Sequence, residues 1–565
     1  MNSATVASAR PLINWPQAAA AAAGWCTAVL LISVTGVLIA QGHDGLAYTL
    51  GIAGAAFLWA AVIVPAMSGT PAPQSLPSYL SGRYASPAVG QLSRLVLLVA
   101  LAGLLAAEVT ALSSVLALAG LASHLALAAT LAGAIGGFGL TVSGRDGALA
   151  SAIFMAGVAC TLLTVLLAGS YHTGPGALVS IPAMADIASL EQTLLEKRLA
   201  DPATFKPHGV PFLRTGVLNF AMLIVCLSLG LALLATPRIG APSSNPASQS
   251  YSARCASRAF LLVAAIIVLL PPLAAAAKRA LLALFASGVR PAALPDWMTA
   301  AMQAGMLQIC GAQSASPAVL AKACGKGVGP QGLMRWHDAI FAPEALLFAG
   351  LQAGSPAAAV LAAALIALAV VATVWTSRRI LSLVVDVAAM PLAVPGLARF
   401  VATLVLVAAA LIAYAKPADS VTLMTWSASL AAAGLAPVVL TAILVRSPNA
   451  NSAMTAIVVG ALTAALLTLA ARFAPVDLFA WTGAASSAPP AVTRRLATLQ
   501  DAWAAAADGP GRAALRLQAE TLARDNLNWF GVKPVSAGVF GLALGGIIVL
   551  IGSFVASLTR RKAIE

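Results

Sequence analysis

Residues 90–120 read GQLSRLVLLVALAGLLAAEVTALSSVLALAG, an apolar run broken by one arginine near its start and one glutamate beyond its middle. About 20 apolar residues, rising 1.5 Å each, cross the roughly 30 Å hydrocarbon core of a bilayer. This run is long enough to cross with some tilt. Similar runs lie near 16–41, 46–68, 123–142, 146–169, 214–236, 256–288, 355–388, 393–414, 420–445, 451–473 and 535–558. The run at 256–288 carries Pro271-Pro272 and then Lys278-Arg279, and 355–388 runs into Arg378-Arg379. The expectation is an all-α polytopic membrane protein with about 12 transmembrane helices.

Composition agrees. Of 565 residues, 60% are hydrophobic and only 9% charged, and the mean hydropathy is +0.93. A soluble protein needs roughly a quarter of its residues charged to cover its surface, so this surface faces lipid. The formal charge of +14 is spread singly or in pairs at the ends of apolar runs, where it fixes topology; nucleic acid is not an expected partner. The first run is too long for a cleaved signal peptide, and no cleavage site follows it.

Orientation follows from the short connections. Arg10, Arg83, Arg94, Arg145, Arg238, Arg254, Arg258, Arg378, Arg379, Arg399, Arg446 and Arg560-Arg561-Lys562 fall on one side. The alternate turns, Gly42-His43-Asp44-Gly45 and Ala122-Ser123-His124, carry no lysine or arginine. By the positive-inside rule both termini are cytoplasmic, in a bacterial inner membrane. Residues 1–15 then form a cytoplasmic N-terminus and 16–169 a first five-helix unit, followed by a periplasmic loop at 170–213. A second five-helix unit at 214–446 includes a periplasmic loop at about 289–354. Two C-terminal helices in 447–565 flank a loop at about 474–534. These three loops are expected as lids or caps. Cys310 and Cys324 share one of them, so a periplasmic location permits a disulfide.

Several stretches resemble a known family. Gly42-His43-Asp44-Gly45-Leu46-Ala47-Tyr48-Thr49-Leu50-Gly51 resembles the turn between the first two core helices of the sodium:solute symporter family, cation/acetate symporter-like branch. Leu76-Pro77-Ser78-Tyr79-Leu80-Ser81-Gly82-Arg83-Tyr84 is similar to its entry into the third. Thr236-Pro237-Arg238-Ile239, with Ala253-Arg254-Cys255-Ala256-Ser257-Arg258, resembles the exit from the sixth. Asn528-Trp529-Phe530-Gly531 and Ser536-Ala537-Gly538-Val539-Phe540-Gly541 look like a last-helix signature. The resemblance implies a LeuT-type five-plus-five inverted repeat with extra C-terminal helices, and symport of a small organic anion, such as an acetate-like monocarboxylate, with a cation. In such folds solute and ion sit between broken helices near mid-membrane. The breaks are expected near 24–36 and 225–237, where Gly24, Gly36, Gly230 and Pro237 stand.

The chain also departs from that pattern. The family's sodium lies between the first and eighth core helices and needs adjacent hydroxyls on the eighth; residues 355–388 offer Thr373, Thr376, Ser377 and Ser382 but no Ser-Ser or Ser-Thr pair. Leu30-Leu31 stands where the first helix should supply a serine. Sodium, the only cofactor-like ion implied, therefore has a degenerate site. The candidate solute residues are Glu108, Gly36, Gly230, Trp426 and Ser427; the candidate ion ligands are Thr373, Thr376 and Ser377. Arg378 and Arg379 are expected to snorkel to the interface. His43, His124, His172, His208 and His337 make no ligand spacing, so no metal site is expected. No nucleotide-binding loop or catalytic triad is visible, so no enzyme activity is expected. The missing hydroxyls motivate a second reading, a degenerate transporter acting as a membrane sensor with a signalling partner.

Overall fold

A computed structural model describes residues 15–564 except 69–74, 140–143, 171–179, 202–206, 214–215, 236–245, 292, 313–315, 325–331, 355–356, 389–395, 446–447, 483–487 and 507–509. The chain is helical almost throughout. The first membrane crossing is α1 (Trp15–Ala23), a non-helical interruption, a π-helical turn (Val29–Val34) and α2 (Thr35–Gln41). The second is α3 (Leu46–Leu58), a second π turn (Trp59–Ile63) and α4 (Val64–Ser68). The short α5 (Leu76–Arg83) leads to α6 (Pro87–Leu118), α7 (Ser123–Gly139) and α8 (Gly144–Ser170). A surface helix, α9 (Ser180–Glu196), precedes α10 (Val217–Leu234) and α11 (Pro246–Ser287).

The next loop holds α12 (Asp296–Gln303), α13 (Pro317–Cys324) and α14 (Pro343–Gly354). Its strands β1 (Leu307–Ile309) and β2 (Ala339–Phe341) pair antiparallel, with Gln308 opposite Ile340. Then come α15 (Ala358–Ala388), α16 (Leu397–Ala415), α17 (Ser420–Leu444) and α18 (Ala450–Phe473). The last loop holds α19 (Pro475–Trp481), α20 (Pro490–Ala505) and α21 (Pro510–Asn526), before α22 (Gly538–Ile564).

Among the described residues, ten helices are long and apolar enough to cross a membrane; one of them, Val29–Met67, folds two crossings into one, and Ser123–Phe138 is a shorter apolar helix. Leucines, isoleucines and valines such as Leu95, Ile153, Val268, Leu411 and Leu550 stand exposed on the outside of the bundle. That inversion of the soluble pattern marks a lipid-facing surface.

Two-fold organisation is visible in which helices touch. The first crossing (α1, α2) packs on α8 and α11, and its counterpart α10 packs on α17 and α3. Likewise α7 packs on α15, and α16 on α6. Each pair maps onto the other when helices one to five are exchanged with six to ten. This is the packing of a five-plus-five inverted repeat, with α18 and α22 added against α17.

The breaks differ from the sequence expectation. The first helix does interrupt, between Ala23 and Ala28, and Gly24 lies in the gap. Helix α10 instead runs unbroken through Gly230 to its C-cap at Ala235; Pro237 and Arg238 lie outside the described residues. Gly36 and Gly230 serve close helix crossings. A methyl group at Gly36 would collide with the Pro343 carbonyl oxygen, and one at Gly230 with that of Ala428. Small residues let backbones approach this way in bilayers.

The loops fold as caps on one face, with their own apolar cores. Cys310 and Cys324 are bonded to each other, with Cα atoms 5.1 Å apart. Since 14 positions separate them, reduction or Cys310→Ser should cost about 3 kcal/mol of local stability. Limited proteolysis between β1 and β2, faster with reductant, checks this. The segment 343–354, expected as part of a loop, is the helix α14, packed against α2 and α11. Its residues Glu344–Leu351 are all buried.

Candidate functional site

The gap in the first helix creates the chemistry at the centre. Where a helix restarts, its first N–H groups lack carbonyl partners and carry partial positive charge. Thr27 meets one of them: its Oγ1 accepts the Leu30 N–H at 3.0 Å. Glu108, on α6, meets another: its Oε2 accepts the Ala28 N–H at 3.1 Å. A side chain 80 positions away in sequence thus holds the restart.

The same Oε2 lies 3.3 Å from Thr376 Oγ1 on α15. That hydroxyl also lies 2.8 Å from the Ala372 carbonyl oxygen. It has one proton. With Glu108 ionised, Thr376 can donate to the carboxylate; with Glu108 protonated, Glu108 can donate to Thr376, whose own proton turns to Ala372. Glu108 is fully buried, and its Oε1 has no hydrogen-bond partner among the described residues. Thr373 Oγ1 and Ser377 Oγ, also buried on α15, are equally unpartnered.

Of the other candidates, Trp426 lines a cavity described below, while Ser427 donates to the Leu423 carbonyl at 2.8 Å and packs beneath Gly103. Glu108 and Thr376 are brought together; Gly36, Gly230 and Ser427 sit at helix crossings away from them.

Arg379 departs from the expectation of snorkelling. One turn from Thr376 on α15, it reaches inward and donates to the Ala21 carbonyl at 3.0 Å and the Ala235 carbonyl at 3.3 Å. It lines a small cavity of about 60 Å³ with Gly24, Thr27, Thr376, Leu104 and Met424. Arg378 does stay at the periphery, over the Trp375 ring at 5.7 Å.

Sequence reasoning missed Glu344. It accepts the Ser420 N–H at 3.2 Å and the Ser420 hydroxyl, and Ser420 Oγ lies 2.8 Å from Ser33 Oγ. The start of α17, the start of α14 and the first helix are thereby tied together. The available signal was Pro343-Glu344 ahead of an apolar run, the pattern of a helix N-terminus.

A larger cavity of about 520 Å³ opens on the face with the long loops, lined among others by Thr110, Ser114, Thr422, Trp426, Arg472 and Arg524. Lys416, Asp419 and Glu344 also border it. Asp419 accepts the Thr422 N–H at 2.8 Å as the N-cap of α17, so both carboxylates here are engaged at helix starts. Arg472 and Arg524 keep buried Nε–H groups with no hydrogen-bond partner among the described residues. On α6, Leu104 lines the small cavity and Thr110 the large one. Glu108 lies between them.

With this geometry in view, the likeness to solved structures is informative. A Na+-coupled sialic acid symporter, in a substrate-bound outward-open state, matches over 96% of this chain and 90% of its own. The TM-score is 0.53 and the identity 12%. The chain shares the fold of that membrane protein. A mutant manganese transporter from Eremococcus coleocola matches over 94% of this chain and 95% of its own, at TM-score 0.43 and 12% identity. No protein-family model and no curated protein matches the sequence. The likeness is one of fold.

Proposed function

We propose that this chain is a secondary transporter that moves a small organic anion with a cation gradient, and that Glu108 is the group on which the cation acts. The observation that carries this is the Glu108 carboxyl. It joins the broken first helix to α6 and α15, and it keeps one oxygen free. Adding a proton or metal cation there changes what holds the helix restart, so ion binding and helix movement are linked in one place.

An acetate-like monocarboxylate is the substrate we favour. The sequence patches of the sodium:solute symporter family support it, and so do the cations Lys416, Arg472 and Arg524 around the large cavity, whose field attracts anions. A bacterial inner membrane with both termini cytoplasmic accords with the arginine asymmetry. A disulfide on the loop face accords with that face meeting an oxidising compartment. The direct test is uptake of radiolabelled acetate into proteoliposomes under an imposed sodium or proton gradient. Accumulation with either gradient is expected; its absence for acetate and related short acids would remove the substrate assignment. Arg472→Gln with Arg524→Gln should lower uptake about three- to tenfold at low ionic strength, an effect that shrinks as salt screens it.

One observation favours the sensor reading. Glu108 and Thr27 already accept the Ala28 and Leu30 N–H groups at the helix restart that a solute carboxylate could use. A degenerate transporter with a signalling partner would bind acids without net flux, and the uptake assay separates the two.

A further inference from the structure

The small cavity at the break is closed by a charge, and its two ends explain why. Ala21 belongs to the last turn of α1, and Ala235 is the C-cap of α10. Both carbonyls therefore lie at helix C-termini, each carrying roughly half a negative charge. Arg379 donates to both at once, one guanidinium nitrogen to each. One positive charge thus faces about one unit of helix-end charge. A planar fork of donors suits two acceptors on different helices, where a lysine would hold only one. Its hydrogen-bond partners are main-chain carbonyls rather than a carboxylate.

A second feature shows that the site is built for this side chain. A methyl group at Gly24 would coincide with the Arg379 guanidinium. Gly24 lies in the interruption and does not have a positive φ, so left-handed backbone does not explain a glycine there. Clearance for Arg379 does.

We infer that Arg379 is a tethered cation occupying the junction of the first, sixth and eighth core helices, in the place a mobile metal cation would otherwise take. It neutralises the two helix ends permanently and pins α15 to both. Coupling then needs no sodium at this junction, which leaves Glu108 as the place where the cation acts. This rests on the transporter reading above and narrows where its cation acts.

The test has two parts, both on purified full-length protein. First, thermal unfolding of the wild type and of Glu108→Gln is followed in sodium, potassium and choline chloride at equal ionic strength. Any saturable, sodium-specific rise should vanish in Glu108→Gln; a rise that persists in that variant would overturn the inference. Second, a double-mutant cycle combines Gly24→Ala with Arg379→Ala. Gly24→Ala should lower the midpoint by several degrees in the wild-type background and be close to neutral once Arg379 is removed. Equal losses in both backgrounds would overturn the contact. Arg379→Val, whose side chain ends before the Cδ that a Gly24 methyl would meet, replaces Arg379→Ala if that variant fails to fold. Neither readout needs a solute, so failure of acetate uptake would count against the transport reading while leaving this inference standing.

Discussion

Glu108→Ala should abolish gradient-driven uptake and lower the stability of the bundle by about 2–4 kcal/mol, because it strips the Ala28 N–H of its partner and empties a fully buried site. The two effects separate in Glu108→Gln. That side chain keeps the shape, and its carbonyl oxygen can still accept the Ala28 N–H. It cannot take up or release a proton. Glu108→Gln should therefore unfold near the wild-type midpoint, retain solute exchange at equal concentrations across the membrane, and lose accumulation at least tenfold, an on-the-order-of estimate for an essential proton-transfer group. Thermal unfolding and paired exchange and accumulation assays check this. Wild-type stability of Glu108→Ala would contradict the assignment of Glu108 to the helix restart.

The second large effect belongs to glycines that line neither cavity. Gly36→Ala and Gly230→Ala each place a methyl group against a backbone oxygen, of Pro343 and Ala428 respectively. Backbone cannot rotate aside as a side chain can, so the helices must separate. Each substitution should cost about 1–3 kcal/mol or more. Folded protein recovered from either variant should bind solute with ordinary affinity, because neither glycine borders the cavities. Yield and unfolding midpoint in detergent, with affinity measured on the folded fraction, test the pair. Unchanged stability with weakened binding would return these glycines to the role of solute contacts.

The contrast shows what the sequence could and could not reveal. Helix existence was legible because a bilayer demands a length of apolar residues that nothing else demands. The edges of α17, expected at 420–445, came within a residue of Ser420–Leu444. The five-plus-five order was legible from span parity. Glu108 stood out as the lone acid in a mostly apolar stretch. Its partner Thr376 was named as an ion ligand, yet nothing local links two positions 268 residues apart.

Glycine misled, because it serves both breaks and crossings; Gly24 does one and Gly36 the other. Arg379 misled for a physical reason too. A long basic side chain near a helix end reaches water in most cases, and only the third dimension shows two orphaned carbonyls waiting inside. Glu344 was hidden by its loop, which folds back into the bundle as α14.

The proposed link between ion binding at Glu108 and movement of the broken helix is the claim on which the rest depends, and site-directed labelling tests it most directly. Cys26, Cys160, Cys226 and Cys255 would be replaced, leaving the Cys310–Cys324 bond intact. Single cysteines would then report on each cavity, Thr422→Cys on the large one and Ala235→Cys on the small one. The probe is a membrane-impermeant maleimide applied from either face of sealed vesicles. Without solute, Thr422→Cys should react from the loop face and Ala235→Cys should not. Acetate with an imposed pH gradient should slow the first and expose the second, from the opposite face only. Reactivities that never move under these conditions, or Ala235→Cys labelled from the loop face, would contradict the account.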